Sequence, residues 1–321
     1  MGKDIGWKSF LSDDERYADV INGIGCKGEQ VVSKDDLYEM DTQTGLSRSR
    51  DFVRRLTQLK KGHVKIRDCL RKVAFGMNFA IIGIENQETM DYSIPLRNIL
   101  YDVNAYEKQA AKIRKEVRKF HKELSAGEYL YGFRKNDRLY PAATFILYSG
   151  SKPWDGPKSL HEMLDFTDIP ETLREMVADY KINLIEIRKL EDTSVFKTDV
   201  RQVFDFIRCS NDKNALKKLV ETDDYYKNME EDAFDVAVQY TNATELIEAK
   251  EYYEKEGVVD VCKALTDLIA DGKQEGKQLG KDEKLREQVE KKMKKGLSVS
   301  EIADMLEENE KTIEKIVKSV V

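Results

Sequence analysis

Residues 64–87 read VKIRDCLRKVAFGMNFAIIGIENQ. Two runs rich in β-branched and aromatic residues, 64–75 and 79–86, flank Gly76, Met77 and Asn78. That pattern predicts two antiparallel strands joined by a tight hairpin turn. Further strand signals follow at 142–148 and 182–187. Between Pro95 and Leu124 no glycine or proline interrupts a long helical stretch. Strands interleaved with helices argue for an α/β or α+β fold from residue 12 to about 190.

Helix starts are marked by serine-to-glutamate capping boxes at 12–15, 159–162 and 298–301. Beyond residue 195 the apolar periodicity is wholly helical, through Val200, Val203, Phe204 and Ile207 and again through Val258, Val261, Leu265 and Leu268. The segment 271–280, DGKQEGKQLG, has a glycine at every fourth position and reads as a weak helix or a linker. The expected division is a core over 1–192, a helical extension over 193–270, a charged low-complexity linker or helix over 271–295, and a small helical segment over 296–321.

The chain has 321 residues, 36% of them charged, with 40% hydrophobic residues available for a core. This composition excludes collagenous, disulfide-scaffold and wholly disordered classes. No apolar run reaches the ~18 residues of a membrane span, and the N-terminus lacks an apolar signal core. Cys26, Cys69, Cys209 and Cys262 have no paired spacing and fit a reducing, cytoplasmic setting. Three scattered histidines argue against a histidine-built metal centre.

The net charge of −6 hides an asymmetry. Residues 46–75 carry a net +8, and residues 222–256 a net −8. A polyanion would dock at the first and avoid the second; an internal match between the two is almost as good a reading. Within the basic segment no aromatic or Asn/Gln cluster suggests direct base readout.

Chemistry concentrates on the hairpin. Asp68 and Glu85 fall near the ends of successive strands, and alternation places Gln87 on the same face as Glu85. Such an oxygen-rich pair suits a hard divalent cation such as Mg²⁺. The pattern Asp-x(16)-Glu-x-Gln resembles the PD-(D/E)XK phosphodiesterase motif, with Gln87 where many members carry lysine. The words YADVIN (17–22), RDCL (67–70), IGIENQ (82–87), IPLRNILY (94–101) and WDGPKSLH (154–161) together resemble the recombination-promoting nuclease/putative transposase family of that superfamily.

The resemblance spans roughly residues 10–265. It implies an αβββαβ core with a central mixed sheet flanked by helices, and a Mg²⁺-dependent DNA endonuclease that promotes recombination, with Mn²⁺ able to stand in. Asp68 then matches the first aspartate, Glu85 the second acid and Gln87 the lysine position, while Arg67 replaces the usual proline. A glutamine cannot exchange a proton, so Gln87 would orient the attacking water by hydrogen bonding. Cleavage would leave a 5′-phosphate and a 3′-hydroxyl.

Other residues compete for supporting roles. Asp19 is preferred over Glu15 as a further acid, because Glu15 already belongs to a capping box. Arg67, Arg71, Lys72 and Arg97 are candidates for holding DNA phosphates; Arg97 could equally pair with Asp91 or Asp102. Cys69 should point away from Asp68 into the opposite layer, and His161 should be structural. The tyrosine pairs at 225–226 and 252–253 should pack helices.

Residues 298–316 have the rhythm of a helix-turn-helix. Residues 296–321 net −3, however, whereas a DNA-reading helix should be basic. A regulatory or oligomerising helical pair is the better reading, with Asn309 as the left-handed turn residue. A homodimer or larger homo-oligomer is expected, since two cores are needed to break both strands.

The principal rival is a nuclease-derived DNA-binding or partner-binding protein with weak or absent catalysis. A transposase proper is a lesser one, because no end-reading domain is evident.

Overall fold

A computed structural model describes residues 3–40, 69–76, 78–119, 124–222, 224–240, 246, 250 and 252–320. Among these the architecture is α/β, with a five-stranded mixed sheet flanked by helices. Strands β1 (Leu37–Glu39), β2 (Cys69–Phe75) and β3 (Asn78–Gln87) form an antiparallel meander. The sheet continues in parallel through β4 (Ala142–Tyr148) and β5 (Asn183–Glu186). Phe75 pairs with Asn78, so the hairpin turn is tight, and Gly76 supplies its left-handed residue at φ +59°. The strand residues expected at 64–68 lie outside the described residues.

β3 is the central strand. It is covered on both faces, which explains the unbroken apolar run AIIGI. Alternation then sorts its side chains. Ile82 and Ile84 enter the main core with Tyr17, Cys69, Val73, Leu147 and Phe204. Ile81 faces the other way, onto Leu70 and Ala105.

The main core lies under α1 (Lys3–Phe10), α2 (Asp14–Val20) and α6 (Val200–Cys209). The opposite face carries α3 (Ile94–Val117), the crossover from β3 to β4. Short helices α4 (Ala126–Tyr131) and α5 (Glu171–Met176) lie in the connections. Cys69 is thus buried in the layer opposite α3, and all four cysteines are free thiols.

Several expectations need correction. Asp13, not Ser12, caps α2 by accepting from the Arg16 N–H, and Glu15 pairs instead with Lys34. Ser159 accepts from the Glu162 N–H, but the Glu162 carboxylate turns to the Lys158 N–H and only a short 3₁₀ turn follows. The box at 298–301 is formed in full.

The extension is not wholly helical. After α7 (Lys213–Thr222) comes a small antiparallel sheet of β6 (Met229–Glu230), β7 (Glu254–Lys255) and β8 (Val258–Val259), with α8 (Glu231–Val238) beside it. These strands are two residues long, too short for periodicity to reveal.

The glycine-spaced segment lies within one continuous helix, α9 (Val261–Met293). Its end packs with α10 (Val299–Leu306) and α11 (Glu310–Val320) around Val289, Ile302, Ala303 and Ile313. Glu307, at φ +54°, is the left-handed residue after α10, while Asn309 accepts from the Lys311 N–H at the start of α11. Among the described residues no helix is long and apolar enough to cross a membrane.

Candidate active site

Glu85 and Gln87 leave β3 on the face covered by α3, and one arginine from the first turn of that helix reaches both. Arg97 Nη2 donates to Glu85 Oε1 at 2.8 Å and to Gln87 Oε1 at 2.9 Å. Its Nη1 donates to Asp91 Oδ2 at 2.7 Å. Pro95 near the helix start fixes the backbone there, so Arg97 is presented one turn in. Tyr101, one turn further on, donates to Glu85 Oε1 at 3.4 Å. Gln87 Nε2 donates to the Thr89 carbonyl at 2.5 Å, so both ends of its amide are engaged. Glu85 is only 2% exposed.

The donors suit a hard cation: carboxylate and amide oxygens converge on one point beside Asp91. The place beside Glu85 Oε1 is held by the Arg97 guanidinium, however, so any ion taking that oxygen must compete with Arg97. Asp68 and Arg67 lie outside the described residues.

The remaining candidates have structural partners. Asp19 is buried beneath the turn that opens α6. Its carboxylate accepts from the N–H groups of Lys197 and Thr198 at 2.8–2.9 Å and from the Thr198 hydroxyl at 2.6 Å. It lies under the α2 face, so it does not join Glu85 on the α3 face. Arg71 is pulled the same way, donating to Asp14 at 3.0 Å and to the Ser12 carbonyl at 3.1 Å. Lys72 projects to the α3 face and lies 3.6 Å from the centre of the Phe79 ring. Arg97 takes Asp91 as the sequence allowed, but its second acid is Glu85 rather than Asp102.

Asp102 instead accepts from Thr144 Oγ1 at 2.8 Å and from the Tyr180 hydroxyl. His161 Nε2 lies 2.7 Å from the Val177 carbonyl, a local structural contact. Tyr226 is buried and donates to Asp205 at 2.7 Å, whereas Tyr252 is 83% exposed and packs no helix.

The acidic stretch has its own use. Asp199, Glu230 and Asp232 are the one group of three carboxylates, among the described residues, close enough to share an ion. Arg16 already fills their midst. It donates to Asp199 at 2.7 and 2.8 Å, to Glu230 at 2.9 Å and to Asp232. Burial pulls the Arg16 guanidinium down, but Asp232 and Asp199 outweigh it and hold the group above its usual pKa. Lys250 likewise bridges Glu231 and Asp235. Neither Arg71 nor Lys72 pairs with this stretch, so the internal match weighed from the sequence is not made by those two cations.

On the C-terminal helices Glu301, Asp304, Glu307, Glu308 and Glu310 line a shallow acidic hollow.

Sequence reasoning had no signal for the Tyr101 contact or for the Arg16 cluster. Both join segments by tertiary packing alone. No family model, curated protein or solved structure matches the chain.

Proposed function

We propose that the chain is a metal-dependent DNA endonuclease of PD-(D/E)XK type, related to the recombination-promoting nucleases that its sequence words resemble. The observation that carries this reading is the placement of Glu85 and Gln87 together. They lie two residues apart on the central strand, facing the helix that presents Arg97. In this reading Asp68 and Glu85 hold Mg²⁺, or Mn²⁺ in its place. The ion, when bound, polarises the phosphodiester and acidifies a water. Arg97 leaves Glu85 for the substrate phosphate, a partner that a planar guanidinium grips well. Gln87, released from Arg97, keeps its carbonyl free to orient the attacking water. The basic segment 46–75 neutralises backbone phosphates and gives sequence-independent, salt-sensitive affinity. Action on both strands would use a homodimer, for which the C-terminal helices are the candidate contact.

One observation favours the second reading, a DNA-binding or partner-binding protein that no longer cuts. Arg97 neutralises Glu85 and both ends of the Gln87 amide are bonded, so Glu85 Oε1 and Gln87 already have partners within the protein. Supercoiled-plasmid cleavage separates the two. The nuclease reading expects nicking with Mg²⁺ that is lost in EDTA and in Asp68→Ala and Glu85→Gln proteins. Plasmid that is bound but never nicked sinks it in favour of the second.

A further inference from the structure

The outer end of the hairpin carries a feature that the sequence scattered over three segments. Tyr38 on β1 pairs across the ladder with Lys72 on β2, and Lys72 pairs with Ile81 on β3. Phe79, two residues before Ile81, therefore shares their face. Tyr140, just before β4, is fixed there by Gln109, which accepts from its N–H at 2.7 Å and donates to its carbonyl at 3.1 Å.

The three rings form a row. Tyr38 and Phe79 stand 6.1 Å apart and Phe79 and Tyr140 5.4 Å apart, both edge to face. The Lys72 ammonium lies 3.6 Å from the Phe79 ring centre and 4.8 Å from that of Tyr140. Yet Tyr38 is 51% and Tyr140 41% exposed, so ring surface that packing could have buried faces water.

We propose that this row is a stacking platform for single-stranded nucleic acid. Aromatic rings offer bases a sequence-tolerant stacking surface, and a neighbouring cation serves the phosphates. Charge favours this occupant over a protein. Lys72 has rings rather than a carboxylate for partners among the described residues, and the sequence that joins β1 to β2, residues 40–68, nets +5. A duplex hides its base faces, so the rings select an unpaired strand. The platform is separate from the Glu85 site, since Phe79 precedes Glu85 by about 20 Å of strand at ~3.3 Å per residue.

The test is fluorescence anisotropy of full-length protein with a labelled oligothymidylate in EDTA, where no metal-dependent cutting occurs. Tyr38→Ala and Tyr140→Ala should each weaken binding by about fivefold or more. Tyr38→Phe and Tyr140→Phe should bind like wild type, and a thermal melt checks that each variant is folded. Wild-type protein that fails to bind the oligonucleotide overturns the proposal. So do alanine variants that bind like wild type, phenylalanine variants as weak as alanine, or an equal loss on a duplex of the same length. Because no cleavage is read, a protein that never nicks plasmid can still pass, and an active nuclease can still fail.

Discussion

Arg97 holds Glu85 as its own counter-ion, 2.8 Å away, inside a site that excludes almost all water from the carboxylate. Breaking a buried pair from one side leaves a charge without compensation, which costs far more than the pair is worth. Arg97→Met should therefore destabilise the fold by about 3 kcal/mol, and adding Glu85→Gln should restore most of it. Denaturant melts of the two single variants and the double variant give the coupling. If Glu85 belongs to a metal site, Mn²⁺ should raise the Tm of Arg97→Met more than that of wild type. An equal response in both would count against metal binding at Glu85.

Asp19 makes the opposite case, an acid with family-like sequence neighbours that the fold sets apart from Glu85. Its carboxylate is consumed by two backbone N–H groups and a hydroxyl at the entrance to α6. Asp19→Asn should cost about 2 kcal/mol by weakening charge-assisted bonds to buried donors. The metal dependence of any cleavage should stay unchanged once the folded fraction is matched. A shifted Mg²⁺ requirement in this variant would return Asp19 to the active site.

The contrast between these two acids shows what the sequence made legible. The hairpin, β4 and the long helix after Pro95 could be read because their signals are local: alternation, an uninterrupted period and a glycine turn. The shared face of Glu85 and Gln87 followed from the same alternation. Arg97's choice of Glu85 did not, because it depends on how α3 lies across the sheet. Nor did the row of Tyr38, Phe79 and Tyr140, whose members are brought together by strand pairing and by the hold of Gln109 on Tyr140. The two-residue strands near 229 and 258 were invisible for a simpler reason, since two residues have no period.

The glycines at 272, 276 and 280 give a prediction of the reverse sign. All three lie inside α9, and a methyl group added at any of them meets nothing within 4 Å. Glycine in a helix interior costs about 1 kcal/mol relative to alanine. The triple change to alanine should therefore slow amide exchange around residues 270–282 without altering the packing of the C-terminal helices. No gain in protection would mean that this stretch does not populate the continuous helix in solution.

Glu186 supplies the pH dependence. Burial pushes its carboxyl up, but the Lys189 ammonium at 2.7 Å and the Trp154 N–H at 2.9 Å outweigh that and leave it below its ordinary value. A carboxyl depressed in the folded state adds stability above its unfolded pKa, near 4.5, and loses it as pH falls through the lower folded value. Glu186→Gln should thus be less stable than wild type at pH 7, by about 1 kcal/mol for bonds at a partly screened site. The gap should close in acid, below both values, where wild type is protonated too. Urea midpoints at the two pH values check this. A gap that persists unchanged in acid would show that Glu186 holds the turn at Trp154 by shape rather than by charge.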